Sequence, residues 1–361
     1  MTTIVQVVQH LLPGGIETMA LDLAAFDEDH EKTIIISLEG NHDSAVSNWP
    51  RLQAVAHRLI FLDKQPGLTP SLVLRLIHLF KQLQVDVVHT HHIGPLLYAG
   101  TAARLTGIKC LIHTEHDAWH LKDPQRCKLQ RWINRLTRPL LVADAETVAT
   151  SMRHYLRLNQ IKIIRNGIDT ERFSPGDQSK ARQRLGLPQN AQLIGCSGRL
   201  EPVKGQNILI YALSQLPQTV HLALAGTGST ETDLRHLTNI LNLGTRVHFL
   251  GCIDEMPSFY QALDIFCLPS LNEGMPLSPL EAQACNIPTA VTDVGGSVET
   301  LCPLSGELMP AENVDAMAST LREMLQPQRQ KSHPGPRAFV QQNRDVRRMA
   351  RAYANLRYEG V

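Results

Sequence analysis

The sequence predicts an α/β protein with two Rossmann-like domains, each a doubly wound parallel sheet, and two observations support this fold class. Short runs of β-branched residues alternate with segments whose apolar residues recur at helical spacing, a pattern typical of parallel sheets covered by helices. The alternation occurs twice, before and after residues 166–192, which are rich in Pro and Gly. A chain of 361 residues also has the length expected of two domains.

The first series begins with a strand over residues 2–8, a turn at Gly14 and Gly15, and a helix whose apolar face includes Met19 and Leu23. The same two patterns define the elements that follow. Strands are predicted over 33–37, 85–89, 109–113 and 161–164, and helices over 72–83 and 96–105.

The second series repeats the pattern. Strands are predicted over 193–197, 220–225, 246–250, 264–268 and 288–292, with a helix over 204–216. Residues 326–336 lack a regular pattern and precede a final helix. The chain is therefore divided into a first domain over 1–170, a linker over 171–192, a second domain over 193–335, and a C-terminal helix in 336–361 that packs back toward the first domain.

Composition excludes several functional classes. The 35 Lys and Arg nearly balance the 34 Asp and Glu, so no overall charge favours nucleic acid as a partner. The seven cysteines are scattered and form no C-x-x-C pair, which favours a reducing compartment over a disulfide framework. Neither a signal-peptide pattern nor a membrane-spanning apolar run is present. We expect a cytoplasmic protein.

Ligands of open parallel sheets bind at the carboxyl ends of the strands, so we expect two such sheets to face each other across a cleft that holds the site. The first candidate loop is 198–205, directly after a strand, where Gly198 precedes Arg199 and Lys204 follows. A guanidinium and an ammonium at this place could bind a diphosphate. The alternative is an ion pair between Arg199 and Glu201, with Lys204 in solvent.

The second candidate loop, 273–281, also follows a strand. Glu273 beside Gly274 could accept hydrogen bonds from the hydroxyl groups of a polar ligand. Ser278 and Glu281 have the spacing of a capping box, so the alternative for Glu281 is a structural role at a helix start.

These loops carry a resemblance to a known family. The segment 270–301, together with 198–205, the AGTG of 225–228, Phe249 to Gly251 and the NGID of 166–169, resembles the retaining glycosyltransferases of family 4 (group 1), which have the GT-B fold. The two glutamates, the later Gly295-Gly296 and the Gly-Arg…Lys-Gly loop stand in the family's order. The resemblance runs from Gly14 to about Leu301.

The resemblance implies that four residues are catalytic. Arg199 and Lys204 would bind the diphosphate of a nucleotide-sugar donor and stabilise it as it leaves. Glu273 would contact the transferred sugar, and His116, in the Thr-Glu-His-Asp segment of 114–117, would hydrogen-bond the same sugar from the first domain. No metal or other cofactor is expected, because the nucleotide sugar is itself the substrate.

The resemblance also implies a set of donor-binding residues. Glu281 would contact the ribose hydroxyls, the loop at Gly251 the base, and backbone amides of the glycine turn the phosphate. The set comprises Gly14, Gly15, Gly198, Gly226, Gly251, Met275, Leu277 and Glu281. A UDP-sugar is the favoured donor and a GDP-sugar the second choice, and the acceptor would be a saccharide or a lipid-linked saccharide of surface polysaccharide assembly.

Two positions depart from the family pattern. Asn286 stands where the family usually has Gly, and Asn tolerates the left-handed backbone conformation better than most residues. Ala145 occupies a place where a Ser often follows the strand near Val142.

Two other functions remain open from the sequence. His89, His91 and His116 could form a metal cluster, which would make the protein a metal-dependent hydrolase. A catalytically silent sugar-nucleotide binding protein could keep the fold without transfer. Turnover would distinguish this second alternative from a transferase.

Residues 122–141, from Lys122 to Leu141, predict a basic amphipathic helix. Leu129, Trp132, Ile133 and Leu136 share one face, and Lys128, Arg131, Arg135 and Arg138 share another. The helix could contact an anionic inner-leaflet membrane, or its apolar face could simply pack inward.

Overall fold

The computed structural model describes residues 1–326 and 335–359, and the chain forms two compact units. The first unit contains Met1–Gly167 and also the C-terminal segment that begins at Val346. The second unit is the continuous stretch Ile168–Asp345. Each unit contains one parallel β-sheet, which confirms the predicted α/β architecture.

The first sheet has seven strands in the order β3-β2-β1-β4-β5-β6-β7. These strands are β1 Thr2–Val8, β2 Glu31–Ser37, β3 Leu59–Phe61, β4 Val87–His91, β5 Cys110–Glu115, β6 Leu140–Ala143 and β7 Lys162–Ile163. Every neighbouring pair is parallel, with Thr2 opposite Glu31 at the start of the pair β1 and β2. The carboxyl ends of all seven strands, and the loops that follow them, therefore lie at one edge of the sheet.

Both faces of this sheet are covered, because alternate residues of a strand point to opposite sides. In β1, Val5 and Val7 pack in one apolar cluster, while Ile4 and Val8 pack in others. The covering helices are Gly15–Ala25, His42–Asn48, Ser71–Leu83, Ile93–Pro95, Thr101–Thr106, Pro124–Thr137, Glu146–Leu156 and Val346–Glu359, with a π-helical stretch at Leu96–Gly100 and 3-10 helices at Pro50–Arg58 and Trp119–Lys122.

The second sheet has six strands in the order β10-β9-β8-β11-β12-β13. They are β8 Gln192–Ser197, β9 Val220–Ala225, β10 Val247–Gly251, β11 Ile265–Leu268, β12 Thr289–Thr292 and β13 Glu307–Met309. The helices are Gln178–Arg184, Gln206–Ser214, Glu231–Ile240, Met256–Gln261, Ser278–Ala284, Val314–Met324 and Pro336–Asn343, with 3-10 turns at Pro202–Lys204 and Ser297–Thr300. Leu209, Leu213 and Leu216 form part of its core, as the predicted apolar face requires.

The linker prediction over 171–192 is wrong. These residues belong to the second unit and include the helix Gln178–Arg184. Its Arg182 is buried, and the guanidinium donates to the carboxylate of Asp264 at 2.8 Å and to the carbonyl of Ala262 at 2.9 Å. These long-range bonds join the segment to the second sheet, although its composition is that of a connection.

The predicted C-terminal helix over 336–361 is two helices. Pro336–Asn343 belongs to the second unit, and Val346–Glu359 belongs to the first. They are separated at Arg344, whose backbone leaves the helical region at φ −136° and ψ 22°. The irregular stretch 326–336 lies mostly outside the described residues, apart from Gln326, Gly335 and Pro336. The predicted return of the chain to the first domain applies only to the second helix, where Val346, Met349 and Tyr353 enter the core of that unit.

Within residues 1–326 and 335–359, no helix combines the length and the apolar character needed to cross a membrane.

Candidate active site

The loops at the carboxyl edge of the second sheet are joined by backbone contacts at glycines. The amide of Gly198 donates to the carbonyl of Ala225 at 3.0 Å, and the amide of Gly226 donates to the carbonyl of Gly251 at 2.7 Å. Gly226 has φ +136°, and a Cβ there would lie 2.1 Å from the carbonyl oxygen of Gly198. Only glycine allows the two loops to approach this closely. Gly198 and Gly251 also have positive φ, at 142° and 66°.

A second close approach supports the loop that carries Glu273. Gly295 has φ +52°, and a Cβ there would lie 1.8 Å from the carbonyl oxygen of Glu273. The next amide, that of Gly296, donates to the carbonyl of Gly274 at 2.8 Å. The glycine pair after β12 therefore fixes the backbone of the loop after β11.

Lys204 and Glu273 form an ion pair between the loops that follow the neighbouring strands β8 and β11. The Lys204 ammonium donates to Oε1 of Glu273 at 2.6 Å, and the hydroxyl of Ser270 donates to the same oxygen at 2.6 Å. Glu273 and Ser270 are buried, while the Lys204 side chain is one-fifth exposed. The structure thus brings together two of the residues predicted to be catalytic.

Arg199 lies in the same loop as Lys204, and its side chain is exposed. The alternative ion pair with Glu201 is not formed in the described part of the chain. Glu201 instead accepts hydrogen bonds from the hydroxyl of Ser229 at 2.6 Å and from its amide at 3.2 Å, which lower the pKa of the carboxyl. The side chain of Arg199 is therefore exposed to solvent in the loop that also carries Lys204.

The capping-box interpretation of Glu281 is wrong. The helix begins at Ser278 itself, Leu277 is the residue before it, and no side chain caps this end. Oε2 of Glu281 accepts a hydrogen bond from the phenol of Tyr260 at 2.5 Å. Local spacing suggested a partner three residues away, whereas the observed partner comes from the helix Met256–Gln261.

Met275 and Leu277 lie in the loop between Glu273 and the helix, and both side chains are buried. Their predicted role rests on backbone amides, and it stays a prediction. Asn286 has φ +66°, which confirms that the departure from Gly is accommodated in the left-handed conformation.

In the first unit, Gly15 is the first residue of the helix Gly15–Ala25, and Gly14 precedes it in an extended conformation. No side chain caps this helix start, and Glu17 lies in its first turn. The helix follows β1, so its N-terminus lies at the carboxyl edge of the first sheet. A helix N-terminus favours an anionic group, and the buried Glu17 lies there. The predicted role of the glycine turn stays a prediction.

His116 lies at the same edge, one residue after β5, and is 6% exposed. Its Nε2 is 3.0 Å from Nδ1 of His91, and its Nδ1 is 3.3 Å from Oδ2 of Asp144. Both ring nitrogens are thus engaged within the protein. The predicted contact with a donor sugar would have to replace one of these two hydrogen bonds.

Burial shifts the pKa values of His116 and Asp144 in opposite directions. Burial, followed by the charge of His92, lowers the pKa of His116 to about 3, and burial raises the pKa of Asp144 well above its ordinary value. His116 is therefore a neutral imidazole at neutral pH. Oδ2 of Asp144 also accepts a hydrogen bond from the side-chain amide of Asn166 at 3.1 Å, and Nε2 of His91 donates to Oε1 of Gln6 at 2.8 Å.

The histidines proposed as a metal cluster do not converge on one point. Nε2 of His89 is 2.7 Å from the hydroxyl of Thr114, and the nitrogens of His91 are bonded to Gln6 and His116. Across residues 1–326 and 335–359, no group of three or more His, Cys, Asp or Glu side chains is arranged to hold a metal ion. This arrangement of the histidines therefore does not support the interpretation as a metal-dependent hydrolase.

Sequence reasoning missed Ser270, Tyr260 and Asp144. Asp144 directly follows β6, the strand near Val142, so the strand-end rule could have found it. Ser270 and Tyr260 carry no local signal, because their partners lie on other elements.

Two family models match this chain, one on each half. "Glycosyltransferase Family 4" matches residues 13–172, and "Glycosyl transferases group 1" matches residues 177–341. Together they cover most of both units, and they leave out β1 at the start of the first sheet and the helix Val346–Glu359.

Two curated relatives illustrate the range of similar proteins. The D-inositol 3-phosphate glycosyltransferase of Mycolicibacterium gilvum is 31% identical over 66% of this chain and 58% of its own length. The GDP-mannose-dependent monoacylated alpha-(1-6)-phosphatidylinositol monomannoside mannosyltransferase of Corynebacterium glutamicum is 27% identical over 86% of this chain and 85% of its own length. The matched part therefore spans just over half of the first relative and most of the second.

The same fold is found in a solved structure. Anabaena HepE, crystallised in complex with UDP and glucose, superposes with a TM-score of 0.85 over 98% of this chain and 99% of its own, at 22% sequence identity. The two family models show that this chain belongs to the group 1 glycosyltransferases of family 4, and the two parallel sheets and the superposition show that it has their GT-B fold.

Proposed function

We propose that the protein is a retaining, metal-independent glycosyltransferase. It moves a sugar from a nucleotide-diphosphate donor to a saccharide or lipid-linked saccharide acceptor in surface polysaccharide assembly. The curated relatives support a glycosyl transfer of this kind, and one of them is named for GDP-mannose and a lipid acceptor. UDP is the nucleotide in the Anabaena structure of the same fold, and it remains our first choice of donor base.

One observation carries the proposal: Lys204 and Glu273 meet at 2.6 Å at the ends of two neighbouring strands, with Arg199 exposed in the same loop. An ammonium can donate three hydrogen bonds, and Glu273 takes one of them. The remaining donors of Lys204 and the guanidinium fork of Arg199 are suited to a diphosphate. Glu273 balances the Lys204 charge while no donor is bound.

The same residues account for the chemistry. As the bond between the anomeric carbon and the diphosphate breaks, both electrons go to the diphosphate, and Arg199 and Lys204 stabilise the charge that develops there. The acceptor hydroxyl forms its bond to the anomeric carbon on the same face, and its proton passes to the departing phosphate oxygen. Glu273, which is fixed by Ser270, holds the hydroxyls of the transferred sugar.

The first experiment measures turnover of UDP- and GDP-sugars by wild type, Arg199→Ala and Lys204→Ala. We expect each variant to lose about a hundredfold in kcat, the scale for removing one donor aimed at a developing charge. Lys180→Ala is the matched control, since Lys180 is an exposed lysine of the same unit. Wild-type turnover by both site variants would contradict the leaving-group role, and nucleotide binding without any turnover by the wild type would favour the silent binding protein.

Two further measurements test whether the transfer retains the anomeric configuration and whether it needs a metal ion. The anomeric configuration of the product, followed by NMR, should match that of the donor. Turnover should survive EDTA. An inverted product, or activity restored only by a divalent cation, would contradict the corresponding part of the proposal.

We also propose that the helix Pro124–Thr137 contacts an anionic membrane and so brings the protein to a lipid-linked acceptor. Its inward face is formed by Cys127, Gln130, Ile133, Asn134 and Thr137. Leu129, Trp132 and Leu136, which were expected to share a face with Ile133, are instead 41%, 57% and 49% exposed. Exposed apolar residues among exposed basic residues such as Lys128 and Arg135 are typical of an interfacial helix.

Flotation with vesicles of phosphatidylcholine, with and without phosphatidylglycerol, tests this contact. We expect wild type to float only with the anionic vesicles, and Trp132→Ser with Leu136→Ser to stay in the lower fraction. Leu74→Ser, an exposed leucine of another helix in the same unit, is the matched control. Equal flotation of wild type and the double variant would contradict a role for this helix.

A further inference from the structure

We propose that Tyr260 is a positioning residue that sets the preference of this site for ribonucleotides over deoxyribonucleotides. It acts by holding the Glu281 carboxylate at the ribose. The inference rests on the proposed function, in which Glu281 contacts the ribose hydroxyls of the donor.

Three elements meet at Tyr260. It lies on the helix Met256–Gln261, and its hydroxyl is 2.5 Å from Oε2 of Glu281 on the helix Ser278–Ala284. On its other side, the hydroxyl is 3.0 Å from Oγ of Ser197, the last residue of β8. Ser197 immediately precedes the loop of Gly198 and Arg199. The phenol thus connects the diphosphate loop with the ribose carboxylate.

The direction of each hydrogen bond is fixed by chemistry. A carboxylate only accepts, so the single proton of the Tyr260 hydroxyl goes to Glu281. The same hydroxyl must then accept from Ser197. Ser197 therefore donates to Tyr260, and Tyr260 donates to Glu281. Burial, followed by the charge of Glu281, raises the pKa of Tyr260 well above its ordinary value, so the phenol keeps its proton.

The ring of Tyr260 cannot move away from this position. It is fully buried and packs edge to face against Phe173, Phe259 and Phe266. Glu281, by contrast, is only partly buried, on the helix Ser278–Ala284. A donor that is already fixed in place reduces the ordering of this carboxylate that ligand binding would otherwise require.

The consequence is discrimination at the ribose. A site built to accept a hydrogen bond from a hydroxyl rejects the analogue that lacks it, because a charged partner is left unsatisfied. We therefore expect the wild type to bind UDP or GDP, whichever is the tighter ligand, about tenfold more tightly than the matching dUDP or dGDP. Without the Tyr260 hydroxyl, Glu281 is less well placed and that ratio falls.

The test is calorimetric titration of wild type, Tyr260→Phe and Glu281→Ala with the ribo- and deoxyribonucleoside diphosphates. Phenylalanine keeps the ring and its packing, so the fold should persist. We expect the ratio to fall to about twofold in Tyr260→Phe and to disappear in Glu281→Ala, with KM for the donor raised and kcat little changed in Tyr260→Phe. Ser197→Ala should lower the ratio less, and Tyr211→Phe, an exposed tyrosine of the same unit, should leave it unchanged.

The outcomes separate the two proposals. If Glu281→Ala loses the discrimination while Tyr260→Phe and Ser197→Ala both keep the wild-type ratio, the positioning role is overturned and the ribose contact stands. If Glu281→Ala keeps the ratio, the ribose contact itself fails and the positioning role fails with it. If Tyr260→Phe proves unstable in thermal unfolding, Ser197→Ala decides the question.

Discussion

Glu273 and Glu281 show how residue roles depend on partners that are distant in the chain. Lys204 bonds to Glu273 across 69 positions, and Tyr260 bonds to Glu281 across 21. The sequence placed both glutamates in the segment 273–281, which follows a strand, and therefore in the right region. It could not reveal what holds each carboxylate, because hydrogen-bond partners on other elements leave no local pattern.

The contact of Gly226 with Gly198 predicts how much stability is lost when a single methyl group, the Cβ of alanine, is added at a glycine. Gly226→Ala should destabilise the protein by about 3 kcal/mol or more, because the new Cβ combines backbone strain with a clash. At Gly186, φ is +64° but no atom lies within 4 Å of an added Cβ, so Gly186→Ala carries the strain alone and should cost about 1 kcal/mol. Thermal unfolding by calorimetry measures both. Equal losses would show that the close approach of the loops does not limit stability.

At the scale of elements, the long strands and helices of both units could be predicted because their apolar patterns are strong. The strands that the sequence analysis missed are Leu59–Phe61 and Glu307–Met309, which are three residues long. So short a segment cannot show a clear alternation of apolar and polar residues. Their pairing with longer strands, rather than their own sequence, makes them strands.

The last helix shows the same limit, since a buried ion pair between distant residues joins it to the first unit. The guanidinium of Arg357 donates to both oxygens of Glu31, at 2.9 and 2.6 Å, and both side chains are nearly buried. Arg357→Met should destabilise the first unit by about 3 kcal/mol, because it leaves the buried Glu31 carboxylate without its counter-charge. Trp49, Trp119 and Trp132, the three tryptophans of the chain, all lie in this unit, so urea unfolding followed by their fluorescence reports on it.

Two controls belong to that measurement. Arg351→Met removes an exposed arginine of the same helix and should change stability little. The double variant Arg357→Met with Glu31→Leu should recover part of the loss, because no charge remains buried. A loss as small as that of Arg351→Met would mean that apolar packing alone holds the helix.

At the scale of the whole molecule, the sequence predicted two parallel α/β units and their approximate extent. It could not predict that the first unit is completed by Val346–Glu359, since a helix that returns to a distant unit has the same periodicity as one that stays. Likewise, the composition of 171–192 indicated a connection, whereas a buried arginine makes the segment part of the second unit.

The buried histidines predict how stability depends on pH. Burial lowers the pKa values of His89 and His91 well below 6.5, so below that pH only the unfolded chain takes up their protons. Their contribution to the free energy of unfolding is complete above pH 6.5. It is lost as the pH falls, by about 1.4 kcal/mol per pH unit for each histidine. His92 acts in the opposite sense, because despite burial the hydrogen bond and charge of Glu115 raise its pKa to about 8. We expect maximal stability of the first unit near neutral pH.

Urea unfolding followed by tryptophan fluorescence from pH 5 to 8 measures this dependence. Below pH 6.5, His89→Gln should reduce the slope of the unfolding free energy against pH by the contribution of one histidine, about 1.4 kcal/mol per pH unit. The exposed His78 provides the control, since His78→Gln should leave the slope as it is in the wild type. Identical slopes for all three proteins would show that His89 does not stay neutral in the folded state.

The return of Val346–Glu359 to the first unit also sets an order of events during synthesis. Domains generally fold as units while the chain emerges from the ribosome, the N-terminal one first. Here Tyr353 and Arg357 are translated after every residue of the second unit, so the second unit can close while the first still lacks a helix of its core. The surface that this helix will cover, which includes Ile4, Val87 and Ile112, stays uncovered until then. A nascent chain stalled before residue 346 should therefore be a better chaperone client than the released protein.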